Sequence, residues 1–469
     1  MKIPENAERI IKTLEEHGHE GYVVGGCVRD MILRREPGDW DITTSAEPEE
    51  VKALFPRTID TGIRHGTVTV MFGKEGYEVT TYRMDGEYED HRHPKEVVFT
   101  PSLREDLKRR DFTINAMAYN PKAGIVDEFE GIQDLGRKCI RCVGEPRERF
   151  EEDALRMLRG IRFAAQLEFG IEVNTLSAIR EKAPTLVSVS AERIRSELTK
   201  LLLADASDRL LLAVQTGLSR YFLPELDDMI TTSQNNPHHC FDVGNHSLEA
   251  VRQINRIWKE EELPGIPREE KAHVVLVYAA LLHDVAKPDC KETDEEGIDH
   301  FYNHNELAAE KAKGILKRLK FDNETISLVT KVIRYHDSRH ENCLIDGKYS
   351  EKGKRAMRRL MNRIGPSAMP YLFALQRADL LAQSDYTRDE KLAKLGAAQR
   401  CYDEICQAGE AVGREDLAIG GRELLALGVK PGPGMGELLN QLMEAVLDDP
   451  SKNTEYELTG LARQILSDL

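Results

Sequence analysis

Two aspartates, two residues apart behind a glycine turn, constrain this chain more than any other feature; they lie in Val23 to Thr44, VVGGCVRDMILRREPGDWDITT. Side chains alternate along a strand, so Asp39 and Asp41 are expected on one face of one strand. Carboxylates so held can bind a divalent ion against a triphosphate and a hydroxyl, while the amides of Gly25 and Gly26 can approach phosphate oxygens closely. Taken alone, a Gly-Gly turn and a solvated strand end account for both fragments. Their weight comes from two clusters further along the chain.

Those clusters are RRDFTINA over Arg109–Ala116 and EDALR over Glu152–Arg156. Together the three resemble the motifs of class II tRNA nucleotidyltransferases, the CCA-adding enzymes, with bacterial poly(A) polymerases as close relatives. The resemblance runs from about residue 20 to 220 and resumes near the C-terminus. It implies an α+β chain: a small polymerase-beta-like α/β nucleotidyltransferase head, then an all-helical neck, body and tail. It also implies magnesium at Asp39 and Asp41, with Glu78 as a third catalytic carboxylate, although Glu78 reads equally as a cross-strand ion-pair partner. Gly25, Gly26 and Arg29 would contact the triphosphate. Arg110, Asp111 and Asn115 would line the ribose and phosphate side, where Asp111 can accept from a ribose hydroxyl. Glu152, Asp153, Arg156 and Arg159 complete the implied nucleotide site.

Asp153 and Arg156 are three apart and so are expected on one helical face. A carboxylate that only accepts beside a guanidinium that only donates matches the Watson–Crick edge of cytosine, and adenine presents the same amine-plus-acceptor pattern. Uracil and guanine present the reverse, leaving buried groups unpaired at about 1–3 kcal/mol each. The protein itself could thus be the template for CTP and ATP. An ordinary intrahelical ion pair is the competing reading. Glu152 is expected to orient the arginine, and Glu192-Arg193-Ile194-Arg195 to buttress the helix. The charged loop Met84–Lys95 is, in the family, needed for switching from C to A addition. These features lead to addition of CCA, or of its terminal A, to tRNA. Poly(A) polymerase is the nearest rival, disfavoured by a C-terminal end without an arginine-rich run.

A second constellation comprises His246, His283-Asp284, His304, His336 and Asp379. The apolar run Val274–Leu282 puts His283-Asp284 at a buried helix. Order and residue types resemble the HD phosphohydrolase superfamily, which implies one or two divalent ions, a transition metal or magnesium, and hydrolysis of a phosphomonoester or cyclic phosphodiester. A rival reading makes this the working enzyme and the head a degenerate nucleotide-sensing module.

The chain has 469 residues, 41% hydrophobic and 31% charged, with a formal net charge of −16. Such length allows several domains, and the sequence divides into a head at 1–140, a neck at 141–235, an HD-type helical metal domain at 236–410 and a tRNA-binding tail at 411–469. No convincing strand is expected beyond Arg141. The acid excess argues against general nucleic-acid affinity, but basic and acidic residues nearly balance between Ile140 and Arg220, leaving room for a local basic face. The N-terminal MKIPENAERIIK has no signal-peptide core, and no apolar run approaches the roughly 18 residues of a membrane span. Eight scattered cysteines form no disulfide framework. A cytoplasmic enzyme with tRNA, CTP and ATP as its partners, no membrane and no obligate protein partner is expected.

Overall fold

The structure, a computed structural model, describes residues 2–85, 97–338, 344–345 and 348–467. Two compact units hold them, Met1–Pro224 and Glu225–Leu469.

The first unit opens with α1 (Glu5–Glu16), which buries Ala7, Ile10, Ile11 and Leu14 at helical spacing. Gly21 begins β1 (Gly21–Val24) directly beneath it; a Cβ there would press on Leu14 Cδ1 at 3.2 Å. The chain continues through α2 (Gly26–Ile32), β2 (Ile42–Thr44), α3 (Pro48–Leu54), β3 (Thr58–Gly62), β4 (Thr67–Phe72) and β5 (Glu75–Thr81). A ribbon, β6 (Arg83–Asp85) and β7 (Val97–Phe99), is followed by α4 (Leu103–Lys108), β8 (Ala118–Asn120) and β9 (Gly124–Val126). Seven strands form one sheet in the order β3-β4-β5-β2-β1-β8-β9, and only β2 and β5 run parallel. Val23, Ile42, Val68, Val70 and Val79 fill its buried face.

This sheet corrects one expectation. Asp39 and Asp41 precede β2 instead of lying within it, and Asp41 joins the ladder only through its carbonyl, which accepts from the Val24 N–H at 2.9 Å. Pro37, which has no N–H to give, and Gly38 keep the approach irregular. The parallel register pairs Ile42 with Val79, so the preceding residues, Asp41 just before β2 and Glu78 within β5, are neighbours in the middle of the sheet. Residues 86–96, most of the loop singled out in the sequence, lie outside the described residues.

Beyond α5 (Gly131–Gly136) and β10 (Cys139–Ile140) the first unit turns helical, with α6 (Pro146–Glu152), α7 (Leu155–Leu167), α8 (Val173–Lys182), α9 (Ala191–Leu202) and α10 (Leu211–Thr216). Strand is not absent past Arg141: β11 (Gly170–Ile171) pairs with β10, and β12 (Lys291–Thr293) with β13 (Asp299–Phe301) and β14 (Leu344–Ile345) with β15 (Lys348–Tyr349) form hairpins. Each strand is too short to show alternation in the sequence.

The second unit follows α11 (Pro224–Thr231) with α12 (Val243–Glu260), α13 (Glu270–Leu282), α14 (His304–Arg318), α15 (Asn323–Tyr335), α16 (Glu351–Ile364), α17 (Met369–Ala382) and α18 (Arg388–Gln407). The apolar run Val274–Leu282 lies on α13, which is apolar around most of its circumference because other helices surround it. A separate core, including Leu424, Leu442, Val446 and Leu458, gathers α19 (Gly421–Ala426), α20 (Pro433–Asp448) and α21 (Glu455–Ser467). Arg358, 2% exposed, joins this tail to α16: its Nε donates to Leu447 O at 2.8 Å and its Nη1 to Glu410 at 2.9 Å. Arg358→Ala strands a carboxylate and a carbonyl, and is expected to cost about 3 kcal/mol. Urea unfolding of the full chain checks this, with proteolysis near Val412 as a local readout.

Candidate active site and a buried histidine cluster

At the turn between β1 and α2, Gly25 adopts φ +83°, a left-handed conformation that favours glycine. Its amide is already committed, donating to Met117 O at 3.0 Å, which leaves Gly26 in the first turn of α2 as the amide able to meet an anion. Gly25 has a different use. A Cβ there would meet Arg110 Nη1 at 2.8 Å, so the missing side chain lets the guanidinium lie over the turn. Arg29, on α2, donates to Asn115 Oδ1 at 2.8 Å, makes paired bonds to Asp30 at 2.9 Å each, and has its guanidinium 5.2 Å from the Phe163 ring centroid.

Asp39, Asp41 and Glu78 all present open surface. None of the three carboxylates hydrogen-bonds or ion-pairs with another described side chain within contact distance. Asp41 keeps solvent access on one side while protein crowds it on the others; burial pushes its carboxyl up to about 6, Arg110 opposes, and Asp39 and Glu78 add to the rise. Negative charge collected without a cation in contact is a fit for a divalent ion. The carboxylates are not drawn into a tight three-ligand cluster, which among the described residues occurs only in the second unit.

Asp111 is 7% exposed. Its Oδ1 accepts from Phe112 N at 2.8 Å and Asn115 Nδ2 at 3.2 Å, and its Oδ2 from Arg159 Nε and Nη2 at 2.8 and 2.7 Å. Burial alone would raise the carboxyl; Arg159, then Arg156 and the Asn115 amide, outweigh it and hold it down at about 2. Arg159 reaches on to Glu197 at 3.7 Å, and Glu197 takes Arg162 Nε at 2.8 Å.

Asp153 and Arg156 do not share a helical face as the three-residue spacing predicts. The helix expected over Glu151–Leu167 breaks at Asp153, which caps α6 with φ −145° and ψ 102°. Its Oδ1 accepts from Leu155 N at 3.1 Å, offering the backbone an alternative to helix. Arg193, on α9, grips the same carboxylate at 2.8 and 3.3 Å. Glu152 accepts from Arg156 at 2.5 Å, and Arg156 also donates to the carbonyls of Arg109 at 3.1 Å and Arg149 at 3.3 Å. The acid paired to Arg156 is therefore Glu152. Sequence reasoning missed Glu197 and Phe163; the helical spacing of Arg159, Arg162 and Phe163 on α7 was the available signal.

In the second unit, His246 stands in the first turn of α12, His283 caps α13 with Asp284 next, His304 opens α14, His336 caps α15 and Asp379 lies on α17. The structure brings all six together. His246 Nε2 is 2.9 Å from Asp379 Oδ1, and His283, His304 and His336 Nε2 lie 3.2, 3.5 and 3.7 Å from Asp284 oxygens. Each Nδ1 faces a backbone carbonyl, at Ala382, Ala280, Phe301 and Ile333, which makes Nδ1 an N–H and turns each Nε2 inward, where it carries a lone pair or, as the carboxylates favour at His283, a proton. His304 and His336 Nε2 then meet at 3.3 Å, two lone pairs with no proton between them unless a ring takes one up or a cation intervenes. His246 Nε2, His283 Nε2 and both Asp284 oxygens are buried without a well-formed hydrogen bond. Burial would lower the His283 pKa, but Asp284 and Asp379 push it up to about 10. These donors fit a divalent ion. Lys287, 5% exposed, ion-pairs with Asp284 Oδ2 at 2.7 Å and donates its hydrogen bond to Gln234 Oε1 at 2.8 Å; its spacing three residues after Asp284 was the signal.

Asp111 yields a pH prediction. Its folded pKa near 2 lies below the roughly 3.9 of an unfolded aspartate, so its stabilisation is present above pH 4 and lost as pH falls through 2. Asp111→Asn is expected to be about 3 kcal/mol less stable at pH 6, with the gap to the parent narrowing steadily below pH 4. Thermal unfolding from pH 6 to 2.5 measures it.

The chain matches the family profile of the Poly A polymerase head domain over residues 21–141, and a tRNA nucleotidyltransferase domain 2 profile over 291–462. A CCA-adding enzyme of Limosilactobacillus reuteri is 35% identical over 467 residues, covering 98% of this chain and 96% of that protein. One from Geobacillus thermodenitrificans is 52% identical over 228 residues, 48% of this chain and 56% of that protein. The crystal structure of the Bacillus stearothermophilus CCA-adding enzyme in complex with CTP matches with a TM-score of 0.70 at 28% identity, covering 100% of this chain and 99% of that one. The fold is shared with the Thermotoga maritima CCA-adding enzyme complexed with tRNA, at a TM-score of 0.58 and 20% identity over 99% and 96% of the two chains. No helix among the described residues is long and apolar enough to cross a membrane. With the sheet, the aspartates before β2 and full-length similarity of this extent, the chain belongs to the family of CCA-adding tRNA nucleotidyltransferases.

Proposed function

We propose that the open edge of the first unit adds C, C and A to tRNA 3′ ends from CTP and ATP. The observation that carries this reading is the meeting of Asp39, Asp41 and Glu78 with the Gly25 turn and Arg110. Asp39 and Asp41 would hold divalent magnesium, which when bound activates the tRNA hydroxyl and screens the triphosphate. Gly26, Arg110 and Arg29 supply a donor-rich wall for phosphate oxygens. Asp111, fixed by Arg159 and Asn115, orients the ribose side. Asp153 accepts the exocyclic amine of cytosine or adenine while Arg156, held by Glu152, donates to the ring nitrogen. Arg193 and the break after α6 set the carboxylate's position before a nucleotide arrives. The domain divisions at 140, 235 and 410 belong to the same proposal, with 411–469 as the tRNA-gripping tail.

Labelled CTP and ATP, offered to tRNA transcripts ending before CCA and after CC, test the assignment. The parent is expected to add CCA to the first and A to the second; A addition to the second alone would make it an A-adding enzyme. Asp39→Ala is expected to abolish incorporation, and survival of activity would sink the metal assignment. Asp153→Ala is expected to lose about 1–3 kcal/mol of discrimination against UTP, roughly 5- to 150-fold.

A second reading rests on the lone-pair contact between His304 and His336. His246, His283, Asp284, His304, His336 and Asp379 would hold one or two divalent ions, which when bound supply an activated water for phosphoester hydrolysis. Metal analysis of the full chain in an Asp39→Ala, Asp41→Ala background is expected to find at least one tightly held ion, lost on His283→Ala.

A further inference from the structure

Asp106, on α4, is fully buried and reads first as a helix-end ion pair, with Arg109 and Arg110 three and four residues on. Its surroundings reach further than such a pair needs. Oδ1 takes Arg109 Nε and Nη2, each at 2.9 Å. Oδ2 lies 3.2 Å from Thr43 Oγ1 and 3.7 Å from Arg110 Nη2. Burial alone would raise this carboxyl, but Arg109, then Arg110, hold it below the ordinary aspartate range, so the group is ionised.

Each partner leads to a different part of the nucleotide site. Thr43 stands on β2 two residues beyond Asp41, and pairs in register with Thr80, two residues beyond Glu78 on β5. Its hydroxyl also lies 3.2 Å from the Thr80 carbonyl. The Arg110 guanidinium lies over the Gly25 turn. Arg109 acts through its backbone, since its carbonyl accepts from Arg156 Nη2 at 3.1 Å. The neighbouring Lys108 carbonyl accepts from Arg149 Nη1 at 3.3 Å, and Arg149 ion-pairs with Glu152, the acid that holds Arg156.

We propose that Asp106 is a positioning residue with two arms: one oxygen sets the base-reading Arg156 through Arg109, the other sets the phosphate-facing Arg110, and Thr43 ties both to the strand that follows the metal carboxylates. The inference rests on the nucleotide site proposed above. Base and triphosphate are two ends of one molecule, so the groups that meet them must keep their separation to within roughly 0.5 Å. A single buried carboxylate serving as origin for both arms, and for the strand beside them, meets that demand. The arms can be cut separately. In Asp106→Asn the amide oxygen stays with the paired Arg109 donors and the NH₂, which only donates, turns toward Arg110. In Arg109→Gln the carboxylate keeps Arg110 and Thr43 but loses its paired grip on residue 109.

Steady-state incorporation of CTP and UTP by the full chain, into a tRNA transcript ending before CCA, tests the assignment. Asp106→Asn is expected to raise KM for CTP at least about fivefold and to leave the CTP-over-UTP preference in kcat/KM within about twofold of the parent. Arg109→Gln is expected to lower that preference at least about fivefold with KM for CTP within about twofold. A loss of folded protein lowers apparent kcat and moves neither KM nor preference, so Arg109→Gln decides alone if Asp106→Asn fails to fold. Any other pattern, a change in kcat alone or KM and preference moving together included, overturns the two-armed role of Asp106 while CTP addition by the parent leaves the nucleotide site standing. A parent that adds no CTP overturns both.

Discussion

An ionised carboxylate is buried only where cations and amides meet it, and the first unit is organised around how that condition is met at Asp111. The residue sits between α4 and the turn Thr113–Asn115, and its guanidinium partner arrives from α7. Glu197 on α9 takes up Arg162 and reaches Arg159, so one alternating chain of charge ties the strand-bearing half to two helices. Apolar packing follows the same path. Phe112 meets Phe163 edge to face at 5.9 Å, and Gly160 leaves room for the Phe112 ring, which would stand 3.1 Å from a Cβ there. The start of α7, with Asp153 and Arg156, is thus fixed by bonds made without any nucleotide. That is the preorganisation a protein-built template needs.

In the second unit the same condition is left open. Asp284 has Lys287 and Asp379 has Gln383 and His246, but four imidazoles turn Nε2 toward the same point. At Asp111 the protein closes the charge with arginine, and the result is a rigid joint. At Asp284 it supplies acceptors in excess, which a proton on a ring or a cation from outside closes. Five helices contribute to this point, so the ion that fits it would also hold α12, α13, α14, α15 and α17 in register.

Much of this was legible in the sequence because chemistry-bearing residues cluster at element ends. The six residues of the histidine–aspartate cluster were recognisable from order and type, and the apolar run before His283 placed that pair at a buried helix. The aspartates were recognisable too, but not their place beside the ladder, because Pro37 and Gly38 interrupt a segment whose alternation alone suggests strand. The break at Asp153 was invisible for a related reason: helical spacing continues on both sides of it, and the cause is a side chain bonding its own backbone. Pairings across long separations, such as Asp153 with Arg193 or Asp111 with Arg159, leave no local periodicity at all. Short hairpins like β12–β13 fall below the length at which a period can be read.

Net charge was the weakest guide, and α16 shows why. Its sequence, EKGKRAMRRLMNRI, has the density of basic residues expected of a nucleic-acid contact. In the fold, Lys354 faces Glu404 at 3.3 Å, Arg355 faces Asp448 at 3.5 Å, Arg359 lies 2.8 Å from Asp448 and 3.3 Å from Glu444, and Arg358 holds Glu410 and the end of α20. The exposed pairs add little stability singly. Their collective effect is to spend a basic run on joining the tail to the helical body. A stretch rich in arginine is therefore in good part matched by acidic partners inside the second unit. For a protein whose substrate is RNA, the relevant quantity is the positive charge that remains outside such joints, and that is a property of the folded surface.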